Sequence, residues 1–229
     1  MYVQSSINSM VLECFIGTSM DKRFKDQTVI CVASGPSLTD EQIRIAEESE
    51  HPIIVVNDNF KKVILPDIIF ATDIVWWYNN YLDVIDTIDP KYTELWTIKD
   101  IGQHFKKKRP HQYSIPINEV GYFQQSGLGL TKVHHGGNSG YIAINLAYLF
   151  GAKKIILIGY DHQHTYGKAH WFGDHDKTKY RRNAEDTDRW IKNFSCLAKD
   201  LKINGIDLTN CSIETSLTSC RRSSIESEV

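Results

Sequence analysis

Short apolar runs, each closed by small or polar residues, recur along the chain with enough sequence between most of them for one helix. Residues 29–32 (VICV), 52–57 (PIIVVN), 67–73 (DIIFATD), 94–98 (ELWTI), 154–158 (KIILI) and 206–210 (IDLTN) each predict a strand. Most are β-branched and do not alternate with polar residues, the pattern of strands buried on both faces of a parallel sheet. Helical spacing fills several of the intervals. Thr39, with Gln42 three residues on, forms a capping-box pattern ahead of Ile43, Ile45 and Ala46. Trp76, Trp77, Tyr78 and Tyr81 open an aromatic-rich helix, and an apolar helix runs up to a turn at Gly151. Trp190, Ile191, Phe194, Leu197, Ala198 and Leu201 predict a helix over 186–202 with one buried face. Residues 99–134 are expected to be irregular. Residues 161–183, polar and rich in histidine and aromatics, are expected to form a long loop over a site.

Strands alternating with helices predict an α/β fold, a single Rossmann-like domain with a mostly parallel sheet and helices on both faces. The expected boundaries are an N-terminal extension over 1–27, the domain over 28–215 and a flexible tail over 216–229. Ligands in such sheets bind beyond the carboxyl ends of the strands. Four strand ends carry small or polar residues: Ser34-Gly35, Asn57-Asp58, Thr72-Asp73 and Gly159-Tyr160-Asp161. All four are expected along one rim.

The turn Gly136-Gly137-Asn138-Ser139-Gly140 feeds the apolar helix directly. A helix start there gathers unpaired backbone N–H groups and the positive end of the helix dipole at one point, which suits a phosphate. Gly35-Pro36-Ser37, at the first strand's exit, either brings backbone and a hydroxyl to that phosphate or is an ordinary strand–helix turn. No GxxxxGK[ST] occurs and no GxGxxG follows a strand, so neither a P-loop nor a standard dinucleotide fold is indicated. Asn57, Asp58 and Asn59 fit contacts to a base or ribose, or an Asx turn. Asp73 fits a ribose, a metal, an acceptor hydroxyl or a helix cap.

Composition narrows the function classes. The chain has 229 residues, a formal net charge of -2, and 41% hydrophobic and 24% charged residues. That balance favours neither nucleic acid nor an anionic membrane. No apolar run approaches the ~20 residues of a bilayer span, and a secretory signal is not expected. Five scattered cysteines without a CxxC pair fit reduced thiols in the cytoplasm. The run from Lys106 to Arg109, near His104, Phe105, His111 and Tyr113, is the one basic patch with aromatics. It is either a solvated loop or a nucleic-acid contact.

The 161–183 loop holds His162, His164, His170 and His175. A metal reading would recruit Asp161 with these histidines, but no ligand pair of known spacing supports it. A general base drawn from His170, Asp174 or His175 suits an imidazole or carboxylate near an attacking hydroxyl. Asp186-Thr187-Asp188 matches the DxD clamp of sugar transferases, yet it opens a helix and reads better as a cap. Lys179, Arg181 and Arg182 lie where one could meet diphosphate oxygens.

The stretch VASGPSL at 32–38 resembles the first-strand signature of bacterial sialyltransferases that use CMP-sialic acid. It is equally similar to the family that contains archaeal hydroxymethylpterin diphosphokinase and many uncharacterised bacterial and phage proteins. The segment 138–161 is similar to a block the two families share. The resemblance implies that Gly35, Pro36, Ser37, Asn57, Asn138, Ser139, Gly140, Gly159 and Asp161 line a nucleotide site. It places Asn57 and Thr72 at nucleotide-contacting positions and Trp171 at an aromatic phosphate contact. Asp174 falls where the sialyltransferases have their catalytic histidine, with His175 one residue later. The leading expectation is a glycosyltransferase using a nucleotide-sugar donor as cosubstrate, with Mg or Mn not required by the sequence. Alternatives are an ATP- and Mg-dependent diphosphotransferase on a small hydroxymethyl compound, and a nucleotide-sequestering protein without catalysis. A hydroxylated nucleobase in DNA, a glycan and a small molecule are open as acceptors, and so is a homo-oligomer.

Overall fold

The computed structural model describes residues 20–109, 114–173 and 184–229. Eight strands form one sheet in which every pairing is parallel. They are β1 (Thr28–Val32), β2 (Ile53–Val56), β3 (Ile68–Phe70), β4 (Glu94–Ile98), β5 (Ile117–Val120), β8 (Lys154–Ile158), β9 (Asp207–Asn210) and β10 (Arg221–Arg222). Their order is β10-β9-β8-β1-β2-β3-β4-β5. From β1 the chain steps outward to β5, then crosses back to β8 on the other side of β1. The direction of winding therefore reverses between β1 and β8, the place where open α/β sheets form a crevice at the strand ends. A separate pair, β6 (Tyr122–Phe123) and β7 (Val133–His134), lies between β5 and the return crossing.

Five helices cover the sheet: α1 (Asp40–Glu48), α2 (Ile74–Thr87), α3 (Lys99–Lys108), α4 (Ser139–Leu149) and α5 (Ala184–Ile203). Strand residues divide strictly between the two faces. Ile30, Val32, Val55 and Ile69 pack with Ile43 of α1, Trp77 and Tyr81 of α2 and Phe105 of α3. Val29, Cys31, Ile54 and Leu157 pack with Ile142 and Leu146 of α4 and with Phe194 and Leu197 of α5. Helix α4 is buried on nearly every side, which explains why its sequence is apolar throughout rather than amphipathic. The Thr39 capping box forms as expected.

Three expectations are corrected. Residues 99–134 are not simply irregular, because α3, β5 and the β6–β7 pair lie there. Lys106, Lys107 and Lys108 occupy the last turn of α3, where cations complement the helix dipole. Phe105 beside them faces the core and Lys106 pairs with Glu119 at 2.9 Å. The basic run is thus a helix end rather than a loop; His111 and Tyr113 lie outside the described residues. The tail does not fray. Leu217 and Ile225 are each 1% exposed, β10 pairs with β9, and a 3-10 turn (Ile225–Ser227) packs by α1. At the other end Phe24 meets Phe150 edge-on at 5.5 Å, so the packed domain extends beyond 28–215 on both sides. Among the described residues no helix is long and apolar enough to cross a membrane.

Candidate functional site

The exits of β1 and β8 cross at very short range. The Gly35 N–H donates to the Gly159 carbonyl at 2.7 Å. A Cβ on Gly35 would stand 2.1 Å from Asp161 Oδ1 and 2.6 Å from Gly159 O. Gly159 has φ +70, and a Cβ there would meet the Ala33 carbonyl at 2.1 Å. Glycine is the residue that permits both approaches, and at Gly159 the positive φ as well. These two glycines let the chain cross itself at the switch point.

Beyond this crossing opens a cavity of about 940 Å³. Its floor follows the strand order along the rim. Gly159, Asp161 and His162 come from the β8 exit, Ser34 and Gly35 from β1, Asn57 from β2, and Thr72 and Asp73 from β3. Ile101, in α3 after β4, closes the far end, and Trp190 of α5 also lines the space. The first turn of α4 points into it through Gly137, Asn138, Ser139 and Gly140.

The α4 start is firmly held. Asn138 is the N-cap, its Oδ1 accepting from the Tyr141 N–H at 2.9 Å. Ser139 Oγ lies 2.8 Å from Thr72 Oγ1 and accepts from the Thr72 N–H at 3.2 Å, tying the helix to the β3 exit. The Tyr160 hydroxyl donates to the Gly140 carbonyl at 3.1 Å. The helix cannot itself pair its first-turn N–H groups; the Asn138 cap takes that of Tyr141, while Ser139 and Gly140 line the cavity.

Several expected ligand contacts turn out to hold the protein together. Ser37 is 3% exposed and is absent from the cavity wall, as is Pro36. The Ser37 hydroxyl donates to Asp161 Oδ1 at 2.7 Å and its N–H to Oδ2 at 2.9 Å. Thr165 Oγ1 donates to the same Oδ2 at 3.0 Å. Burial pushes the Asp161 carboxyl above its ordinary range; the Ser37 and Thr165 hydrogen bonds offset part of this and Glu214 adds to it. Asp58 accepts from the Trp76 indole at 3.0 Å and pairs with Lys61 at 2.7 Å, away from the cavity wall. Asp73 lines the cavity but caps α2, with Oδ1 accepting from Val75 N at 2.7 Å and from Trp76 N at 3.3 Å. Trp171 is also off the wall: its indole donates to Asn59 Oδ1 at 2.9 Å and its backbone N–H to Ser34 O. It anchors the loop instead of presenting itself to a phosphate.

Other candidates do face the cavity. Asn57 sits at φ +52, and its Oδ1 is buried with no hydrogen-bond partner among the described residues. His170 lines the cavity with Nδ1 3.0 Å from Ser34 Oγ and its ring stacked on Phe172 at 5.0 Å. Asp174 and His175 lie outside the described residues, as do Lys179, Arg181 and Arg182. The metal reading gains nothing. Among the described residues no group of His, Cys, Asp or Glu is placed to hold an ion, and both Asp161 oxygens are engaged. Asp186 opens α5 and pairs with Arg189 at 2.6 Å.

His135 was not expected among the site residues, although it immediately precedes the glycine turn. It lines the cavity, and its Nδ1 is buried without a partner among the described residues. Burial also lowers its pKa from the ordinary imidazole value, so the ring is neutral at pH 7. An unpaired buried polar atom costs about 1–3 kcal/mol, which makes Asn57 Oδ1 and His135 Nδ1 natural points of ligand contact. The one signal for His135 was its place just before the glycine turn, since β7 ahead of it is only two residues long, and Ile101 and Trp190 lie inside helices rather than at a strand end.

A doubly wound parallel sheet with a cavity at its switch point defines a Rossmann-like α/β protein. The 6-hydroxymethylpterin diphosphokinase MptE-like family matches residues 12–167, and the chain belongs to that family. The family is named for a diphosphokinase and is thus of transferase type. Comparison with curated proteins finds no match.

Proposed function

We propose that this chain is a transferase that binds a nucleoside triphosphate and moves its terminal diphosphoryl group to the hydroxyl of a small hydroxymethyl compound. The observation that carries this reading is the α4 N-terminus opening into a 940 Å³ cavity at the β1–β8 switch point, in a chain of the diphosphokinase-named family. The phosphates would lie against the first-turn N–H groups of α4, with Ser139 and Thr72 beside them. The acceptor oxygen attacks the β-phosphorus, and the bond from that phosphorus to the oxygen bridging the α-phosphorus breaks. Nucleoside monophosphate leaves, and the hydroxyl proton passes to a base. His170, steadied by Ser34 and Phe172, is the described residue best placed for that proton; Asp174 and His175 follow it in sequence.

A divalent ion usually accompanies such phosphates. The described carboxylates do not make a set to hold one, since Asp161 is fully engaged and Asp73 caps α2. Mg²⁺ or Mn²⁺ is therefore assigned no protein ligand and no step.

Transfer of a sugar from a nucleotide-sugar is the second reading, favoured by His170, in the 170–173 stretch that resembles the sialyltransferase loop, lining the cavity. Incubation with ATP, Mg²⁺ and a 6-hydroxymethylpterin, followed by ³¹P NMR, separates the cases. Release of AMP with a new diphosphate ester supports the first reading. Turnover of CMP-, UDP- or GDP-sugars instead supports the second. Tight binding with the nucleotide recovered intact would replace both with a sequestering role.

A further inference from the structure

The cavity has two chemically different ends. At the β8–β1 end stand Asp161, His162, His164 and His170, a polar surface suited to an acceptor hydroxyl and a proton. At the β3–β4 end the walls are Ile74 and Ile101, with Trp190 of α5 beside Gly137 at the α4 start. His135 belongs to this second end. Its ring lies 5.9 Å from that of Tyr122, whose hydroxyl donates to Asp100 at 2.9 Å, beside Ile101 on α3. The α4 N-terminus lies between, joined by Ser139 to Thr72 at the β3 exit.

Resting on the triphosphate reading above, we propose that the β3–β4 end is the slot for the donor's nucleobase, with His135 as its specificity-determining residue. Apolar side chains and an indole suit the faces of a planar heterocycle. Such a wall leaves one polar requirement, at the edge of the ring. His135 meets it, because its side chain lines this wall and its Nδ1 is without a partner among the described residues. In either tautomer Nδ1 must donate or accept one hydrogen bond, and a nucleobase edge offers both kinds of group. A neutral imidazole does not serve as a cation for phosphates, so its contribution is directional recognition rather than charge. The first turn of α4 then receives the phosphates midway, leaving the reacting end towards His170.

The test compares binding of ATP, GTP, CTP and UTP with that of inorganic tripolyphosphate, by calorimetry at fixed Mg²⁺. The wild-type chain is expected to prefer at least one nucleoside triphosphate to tripolyphosphate. His135→Ala should weaken that nucleotide about tenfold, the equivalent of one lost hydrogen bond of ~1.4 kcal/mol, while changing tripolyphosphate less than about twofold. His135→Asn, whose amide can occupy the Nδ1 position, should recover most of the loss. Thermal unfolding of each variant shows whether the fold is intact. If tripolyphosphate binds as well as every nucleotide, the base slot is wrong while the phosphate site stands. Equal losses for both ligands in His135→Ala, or an Asn variant no better than Ala, would also overturn the role given to His135. Failure of every probe to bind removes the phosphate site and the slot together.

Discussion

Asp161 carries three hydrogen bonds, two from Ser37 in a segment far away in sequence and one from nearby Thr165. Replacing it with alanine leaves three donors unpaired in a buried place. A loss on the order of 3 kcal/mol in denaturant unfolding is expected for Asp161→Ala. Asp161→Asn keeps one oxygen for Ser37 N and Thr165 Oγ1, and lets its amide donate to Ser37 Oγ, so it should cost less than half as much. The carboxylate also leaves a signature in pH. Its pKa is higher in the folded chain than its ordinary value, chiefly through burial. The folded state therefore binds more protons than the unfolded one between those two values. Its contribution to stability falls as pH rises from about 4 through the raised folded pKa, and is level above it. Subtracting the Asp161→Asn curve from that of the parent isolates the effect; a difference that grows more favourable to the parent with rising pH would refute it. Ser37 and Trp171 show where residue-scale reading stops. Their position near a strand exit was legible, but their orientation depends on partners 124 and 112 residues away. Asn57, by contrast, lines the cavity directly after its strand, so its approximate place could be read from the strand end.

At the scale of elements, legibility followed burial. The central strands announce themselves because both of their faces are covered, leaving uninterrupted Ile and Val runs. Helix α3 gave no such signal, since only Gly102 and Phe105 among its ten residues are buried. Strand β10 is Arg221-Arg222, exposed on both residues, and no hydrophobic period could reveal it. Its pairing is nonetheless consequential for stability. Glu228 joins Arg221 at 2.6 Å and Lys154 at 2.9 Å, while Ile225 is buried by α1. Ending the chain after Thr218 removes that apolar contact, the ion pairs and the β9 edge partner. Burial of one Ile side chain is worth about 1.5–3 kcal/mol, so a fall in Tm on the order of 10 °C is expected. The Arg221 guanidinium first, then Ser223 and Lys154, hold the Glu228 carboxyl below its usual range. That stability is present above the ordinary carboxylate pKa and is lost as pH falls through it. The full chain should accordingly lose more stability than the shortened one between pH 6 and pH 3, by denaturant titration. Equal melting of the two chains would show the tail to be an ornament.

For the molecule as a whole, the sheet order separates what holds the fold from what receives a ligand. Strands β1 and β8 have neighbours on both edges and helices on both faces, so their amides open only with global unfolding. The segments that meet over their carboxyl ends (34–35, 137–140 and 159–164) face the cavity. The rim of strand ends that this cavity occupies was inferable from the alternation of strands and helices, whereas the strand order at the switch point and the way α3 and α5 bring Ile101 and Trp190 to the cavity were not. Hydrogen exchange measured by mass spectrometry distinguishes the two regions. Ile30, Cys31 and Val32 should exchange slowest with or without ligand, alongside Ile155, Ile156 and Leu157. A saturating nucleotide should slow exchange at the three rim segments, and at 133–136 if the nucleobase lies by His135. At 100 times its Kd it should also add about 2.7 kcal/mol to global stability. Protection confined to the opposite edge, around residues 63–67 and 90–93 at the starts of β3 and β4, would place the ligand under the wrong end of the strands. No phosphate could then reach the α4 N-terminus, and the nucleotide reading would fall with it.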